Sequence, residues 1–348
     1  MTATTRWPLK LSAAAAALAL VAAACGGGDD RNGSGAGSSE LDGSVAVSGS
    51  STVEPISTLV AQKFSSINPG VAISVDGPGT GDGFELFCRG EIDVADASRP
   101  IEPEEAATCK EAGIDYVELK VGIDGITVLT SPANDEVTCL DFHDLYALLG
   151  PESEGFETWS DANGLAEEVG AGNAPYPDAP LDVTAPGEES GTYDSFAELV
   201  LEDIAYEERG IPEDDPVIRP DYQASANDNV ILQGIEGTES SLGWVGFAYF
   251  AQAGDTVKAV EIDGGDGCVA PTEETIADGS YPVARELFVY VNSVEAESNP
   301  ALASFVDYYL SDEGLASVAE AGYVDLPEEE MQASLDAWSS METGTREG

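Results

Sequence analysis

The chain has 348 residues, and its 13 Lys and Arg against 66 Asp and Glu give a formal net charge of −53. That balance excludes nucleic acid as a partner, because a polyanion would be repelled on approach. The carboxylates are spread between apolar segments along the whole length, so they read as a surface suited to concentrated salt, where the screening length falls to about 3 Å near 1 M, and not as an acidic disordered tail.

Arg6 and Lys10 open the chain, Leu11 to Ala24 is an apolar run too short for a comfortable mature span, and Cys25 follows Ala22-Ala23-Ala24. This pattern resembles a bacterial lipoprotein signal. The resemblance implies removal of residues 1–24, lipid on Cys25, and an exported protein held at the membrane by that lipid alone. The plainer alternative is an ordinary signal peptide with an incidental cysteine. Residues 25–43, rich in Gly, Ser and Asp, read as a flexible tether. Roughly 300 residues then remain, enough for two modest domains with sizeable cores.

After the tether, Ser44 to Ser48 reads as a strand, Pro55 to Ile67 as a helix with Ile56, Leu59, Val60 and Phe64 on one face, and Val71 to Val75 as a strand. A helix from Gly83 to Arg89, a strand from Asp93 to Ala97, a helix from Glu102 to Ala112 and a strand from Tyr116 to Leu119 continue the alternation. An open α/β sheet is the predicted core. Two extended apolar segments, Gly122 to Leu129 and Ala284 to Val291, read as crossings between lobes. On that reading residues 44–125 and 284–340 form one lobe, 126–283 the other and 341–348 a short tail, with a ligand in the cleft between the lobes.

Four cysteines remain beyond Cys25, and an even number in an exported chain indicates two disulfides. Three pairings exist. Cys88 with Cys109 and Cys139 with Cys268 is favoured because each bridge then stays within one lobe. Zinc fits poorly, since no Cys-x-x-Cys occurs and His143 is the sole histidine. No metal or cofactor is expected.

Ser50-Ser51-Thr52, Gly79-Thr80-Gly81 and Ser190-Gly191-Thr192 each open a helix with hydroxyls and glycine. Helix starts carry unpaired N–H groups and partial positive charge, so three of them converging can cradle a tetrahedral oxyanion without lysine. The plainer reading is that they are ordinary caps. The glycines at 77, 79, 81 and 83 miss the dinucleotide-binding spacing. His143 has no Gly-x-Ser-x-Gly elbow or metal cluster to work with, so no catalytic residue is expected. Trp244, Phe247 and Tyr249 read as core.

Gly49-Ser-Ser-Thr-Val-Glu-Pro55, Gly79-Thr-Gly-Asp-Gly-Phe84, Asp93-Val-Ala-Asp-Ala-Ser-Arg-Pro100 and Glu189-Ser-Gly-Thr-Tyr-Asp194, in this order and spacing, resemble the PstS family of phosphate-binding proteins of bacterial ABC phosphate uptake. Tyr222 to Asn229 and Ser241 to Tyr249 extend the resemblance over nearly all of residues 44–340. It implies a two-lobed type II periplasmic-binding-protein fold, each lobe a mixed, mostly parallel sheet flanked by helices, joined by two hinge strands. It also implies a monomer that binds inorganic phosphate without catalysis and delivers it to a permease and ATPase on separate chains. Carried over by position, the phosphate donors are Ser51, Thr52 and Val53, then Thr80, then Ser190, Gly191 and Thr192.

Two departures bear on selectivity. The family's carboxylate that accepts a proton from phosphate falls on Ser98, and the arginine found four residues before Ser190 in well-known members is Pro186. Arg99 is the candidate replacement, its plainer role being a pair with a surface acid. For the missing acid the candidates are Asp82, Glu188, Glu189, Asp221 and Asp228, with Asp82 and Asp228 foremost because each lies beside a contact loop. Asn227-Asp228-Asn229 reads equally as a turn. Another tetrahedral oxyanion, such as sulfate or molybdate, is the alternative ligand, and a surface phosphate-ester hydrolase the alternative activity.

Overall fold

The expected alternation of strand and helix is present in the computed structural model, which describes residues 41–188, 190–213 and 215–346. The expected leader, Cys25, the expected tether as far as residue 40, Glu189, Asp214 and the final two residues lie outside the described residues. In chain order the first elements are β1 (Gly43–Gly49), α1 (Glu54–Ile67), β2 (Val71–Asp76), α2 (Thr80–Cys88), β3 (Val94–Ala97), α3 (Pro103–Ala112) and β4 (Tyr116–Thr130). There follow β5 (Cys139–Asp141), α4 (Phe142–Leu149), α5 (Asn163–Val169), β6 (Asp182–Ala185), α6 (Gly191–Phe196), β7 (Gln223–Ala224), α7 (Asp228–Gly237), β8 (Ser241–Gly246) and α8 (Phe247–Ala253). The remainder are β9 (Lys258–Ala259), β10 (Glu261–Asp263), β11 (Cys268–Val269), α9 (Glu273–Ala277), β12 (Ala284–Asn292), α10 (Ser293–Ser298), α11 (Pro300–Tyr309), α12 (Asp312–Glu320) and α13 (Glu328–Ser340).

Local chemistry accounts for many of the boundaries. Pro55 sits in the first turn of α1, where its missing N–H has no intrahelical partner to lose. A capping box between Glu102 and Glu105 starts α3, and Gly113 at φ 77° ends it in the left-handed region. Gly79, at φ 123°, lets α2 begin at Thr80, three residues earlier than the sequence suggested. Along α1 the buried face is Ile56, Ser57, Val60, Ala61 and Phe64, with Leu59 only half-buried.

The two expected crossings prove to be partners of each other. Tyr116–Leu119 and Gly122–Leu129 are one continuous fifteen-residue strand, β4, buried along almost its whole length. Its first part pairs antiparallel with β12, setting Gly125 opposite Ala284, Asp124 opposite Arg285 and Ile123 opposite Glu286. From Ile126 onward it pairs instead with β8. The strand order is therefore β2-β1-β3-β12-β4-β8-β6-β7, with parallel pairing of β1 to β2 and β3 on one side and of β6 to β7 and β8 on the other. This is the two-lobed mixed α/β architecture, with β4 and β12 as its shared seam.

The cores divide accordingly. Val45, Val47, Ile56, Phe64, Leu119 and Phe305 pack on one side, while Tyr146, Trp159, Phe196 and Trp244 pack on the other. Trp244 is fully buried and stacked on Phe196 with ring centroids 4.2 Å apart, a core role as expected. The disulfides are Cys88–Cys109, which ties the end of α2 to α3, and Cys139–Cys268, which staples β5 to β11 in a small three-stranded sheet.

Candidate functional site

A cleft of about 430 Å³ opens where β1, α2, β3, α6 and β12 meet. Ser51, Thr52, Thr80, Ser98 and Arg99 of the expected set line it. The first loop is held from behind: the Ser50 N–H donates to the Asp96 carbonyl at 2.8 Å, and the Ser50 hydroxyl accepts the Thr52 N–H at 3.2 Å. Thr80 is placed at the start of α2, with its hydroxyl 3.1 Å from that of Ser98. Two loops of one lobe thus present hydroxyls toward one space.

Other expected residues are placed differently. Val53 is fully buried, does not line the cleft, and donates its N–H to the Ser50 carbonyl at 3.2 Å. Ser190, Gly191 and Thr192 stand beside the cleft, and the Ser190 hydroxyl caps α6 by accepting the Thr192 N–H at 3.2 Å. Gly191 is pressed against the first loop, where a β-carbon would come within 3.2 Å of the Ser51 carbonyl oxygen and 3.3 Å of Thr52 Cα. Asp82 and Glu188 are exposed, and neither they nor Asp221 and Asp228 line the cleft. Asp221 instead forms a two-pronged pair with Arg219 at 2.7 and 2.9 Å. Asp228 begins α7, which Asn227 caps, so this segment is the turn and helix start of the plainer reading. His143, away from the cleft, lies 3.2 Å from Glu208.

Arg99 reaches the cleft but is already engaged. Both Nη atoms donate to Glu105 at 2.9 Å, and the guanidinium lies over the Phe84 ring at 5.6 Å. Hydrogen bonding to Glu105 is the main reason its pKa is raised further. The arginine that occupies the centre is Arg285, on the seam strand β12. Its Nη2 donates to Thr52 Oγ1 at 3.1 Å and to Ser195 Oγ at 2.6 Å, while Nη1 donates to Glu198 at 2.5 Å. Thr52 and Ser195 are themselves in contact across the cleft, with oxygens 3.0 Å apart.

Behind Arg285 lies Asp124, its cross-strand partner, with Oδ2 at 3.8 Å from Nε. Burial pushes the Asp124 carboxyl up, and Arg285 and the Ser195 hydroxyl pull it back. Sequence reasoning passed over Arg285, although it is the one basic residue in the otherwise apolar and acidic crossing from Ala284 to Val291. A lone guanidinium at the head of an apolar strand was the available signal.

Four carboxylates share the cleft with these cations: Asp194, Glu198, Glu202 and Asp215. Asp194 Oδ2 accepts the Ser51 hydroxyl at 2.9 Å, a bond from one lobe to the other. Burial raises the Asp194 carboxyl, against the pull of Ser51 and Arg285, and burial with neighbouring Glu198 raises Glu202.

Residues 34–313 match the PBP superfamily domain. The chain is 37% identical to protein SphX of a Synechocystis strain, over 88% of this chain and 85% of the relative. It is 34% identical to the phosphate-binding protein PstS of Staphylococcus aureus, over 87% of this chain and 84% of the relative. The crystal structure of a possible phosphate binding protein from Planctomyces limnophilus superposes with a TM-score of 0.77 at 36% identity, covering 86% of this chain and 99% of the other. By sequence over most of its length and by fold, the chain belongs to the PBP superfamily and, within it, to the family that contains protein SphX and the phosphate-binding protein PstS.

Proposed function

We propose that this chain is a solute-binding protein that captures inorganic phosphate in the cleft and delivers it to an ABC permease powered by a separate ATPase. The observation that carries the reading is the convergence of the Thr52, Thr80 and Ser98 hydroxyls with the Arg285 guanidinium in one cleft. A fixed planar fork of donors suits an oxyanion, and hydroxyl dipoles complete its shell without further charge. Relatives named as phosphate-binding proteins support the same ligand. Arg285, not Arg99, supplies the guanidinium.

The lobes, residues 44–125 with 284–340 and residues 126–283, close about the paired segments Gly122–Gly125 and Ala284–Glu286. Cys25 carries the lipid, and the protein works at the outer face of the cell membrane. Retention of the ligand rather than chemistry on it is the role, in keeping with relatives named as phosphate-binding proteins.

Calorimetric titration of the mature protein, stripped of anion and held in high chloride, tests this reading. Phosphate should saturate one site. Arg285→Ala and Thr80→Ala should each weaken binding by about 1–3 kcal/mol, the cost of losing a buried donor to a charged ligand. Absence of phosphate binding, or turnover of a phosphate ester that depends on a cleft hydroxyl, would overturn it.

A further inference from the structure

Selectivity between phosphate and sulfate needs a group that distinguishes a protonated oxygen from a bare one, because at neutral pH phosphate retains a proton and sulfate has none. Ser98 presents a hydroxyl, which can donate to either anion. Its oxygen lies 3.1 Å from Thr80 Oγ1, so one of these two hydroxyls donates to the other and the remaining O–H can serve any tetrahedral oxyanion. Discrimination must come from an acceptor that cannot turn into a donor. A carboxylate meets that condition: it accepts the phosphate O–H, but sets lone pair against lone pair when the ligand has no proton.

Of the carboxylates that line the cleft, Glu198 is engaged by the Arg285 guanidinium at 2.5 Å. Glu202 and Asp215 lie farther along the chain from the hydroxyl loops, and no hydrogen bond joins either to those loops among the described residues. Asp194 comes, like the other three, from the second lobe, on the helix opened by Ser190-Gly191-Thr192, but among the described residues it is the one joined to a hydroxyl loop of the first lobe: its Oδ2 accepts a hydrogen bond from Ser51 at 2.9 Å. Ser51 adjoins Thr52, whose hydroxyl takes a bond from Arg285. Asp194 is thus anchored at the spot where the first hydroxyl loop and the guanidinium meet.

Building on the phosphate reading above, we infer that Asp194 is the specificity-determining residue of this site: it accepts the proton of the bound phosphate and thereby rejects sulfate. The role that another lobe's carboxylate would fill is moved across the cleft. The Ser51 bond fixes the carboxylate orientation across the cleft, beside Thr52 and the Arg285 guanidinium.

The test is titration of the anion-stripped protein and its Asp194→Asn and Asp194→Glu variants with phosphate and with sulfate, at neutral pH and constant chloride. The unaltered protein should bind phosphate and give no response to sulfate. Asp194→Asn should lose about tenfold to hundredfold in phosphate affinity and gain saturable sulfate binding, because the amide can donate to a bare oxygen. Asp194→Glu, which keeps the carboxylate, should still exclude sulfate. An Asp194→Asn protein that excludes sulfate as fully as the original, with phosphate affinity intact, overturns the inference. So does an unaltered protein that binds both anions alike. Failure of the unaltered protein to bind phosphate at all is a different outcome and removes the functional reading itself. Should Asp194→Asn fail to fold, sulfate binding by Asp194→Glu decides the matter: exclusion supports the carboxylate and uptake rejects it.

Discussion

Asp96 shows how a buried group can set the pH response of the cleft's scaffold. Its carbonyl holds the Ser50 N–H, its carboxyl accepts the Ser57 hydroxyl at 2.9 Å, and Oδ2 is buried without a partner. Burial pushes this acid up to about 8; the Ser57 bond opposes the rise, and Glu54 and Asp76 add to it. An unfolded aspartate titrates near about 4. Between those values the folded chain retains a proton that the unfolded chain has shed, so the stability contributed by the neutral carboxyl is complete below about pH 4 and is lost as pH rises toward 8. Asp96→Asn removes the titration. Its melting temperature, compared with that of the unaltered protein, should gain steadily from pH 5 to pH 9, and parallel curves over that range would reject the assignment. The sequence marked Asp96 only as part of a motif, because burial of a side chain beneath a neighbouring helix is not a local property.

Among the elements, the close approach of two loops matters more than the helices they start. Gly191 leaves room for Ser51 and Thr52 to lie against the start of α6, and an added side chain would meet their backbone at 3.2–3.4 Å. Gly191→Val should hold the lobes apart and weaken phosphate binding by about tenfold or more, with little change in melting temperature, since overpacking of this size costs roughly 1–3 kcal/mol where the surroundings cannot yield. Affinity equal to that of the unaltered protein would show that the loops separate freely. The first lobe's elements were largely legible, because α1, α3 and the strands between them carry strong periodicity, proline starts and caps. The second lobe was harder to read. Its strands β6, β7, β9 and β10 are two to four residues long, and the helix after Ser190 passes into π-helical turns at Ala197–Leu201 and Ile204–Glu208. Elements this short carry too few side chains to establish a period.

For the molecule as a whole, charge opposes the very ligand the cleft favours. A net charge of −53 repels an anion at long range, and Glu198, Glu202 and Asp215, which line the cleft, add to it. Short hydrogen bonds to Arg285 and the hydroxyls act only at contact, whereas the long-range barrier is cut off beyond a Debye length, about 10 Å at 0.1 M and about 3 Å at 1 M. Phosphate association should therefore speed up from low salt to molar salt, with dissociation changed less. Stopped-flow rates that fall or stay level as salt rises, in protein that remains folded, would contradict this account.

Strand–helix alternation and hydroxyl-rich helix starts by themselves indicated the class of fold and an oxyanion as ligand, because each arises from neighbours within a few residues, and cysteine parity gave the number of bridges, though their pairing spans 21 and 129 residues. The tertiary structure alone decided which guanidinium meets Thr52 and which carboxylate meets Ser51. Thr52 and Arg285 meet across 233 residues of chain, and Ser51 and Asp194 across 143. Arg99, adjacent to the motif, is drawn away by Glu105 only six residues on. Proximity in sequence favours such local pairs, whereas a site built between two lobes depends on the path of β4 and β12, along which Arg285 is delivered from the far end of the chain.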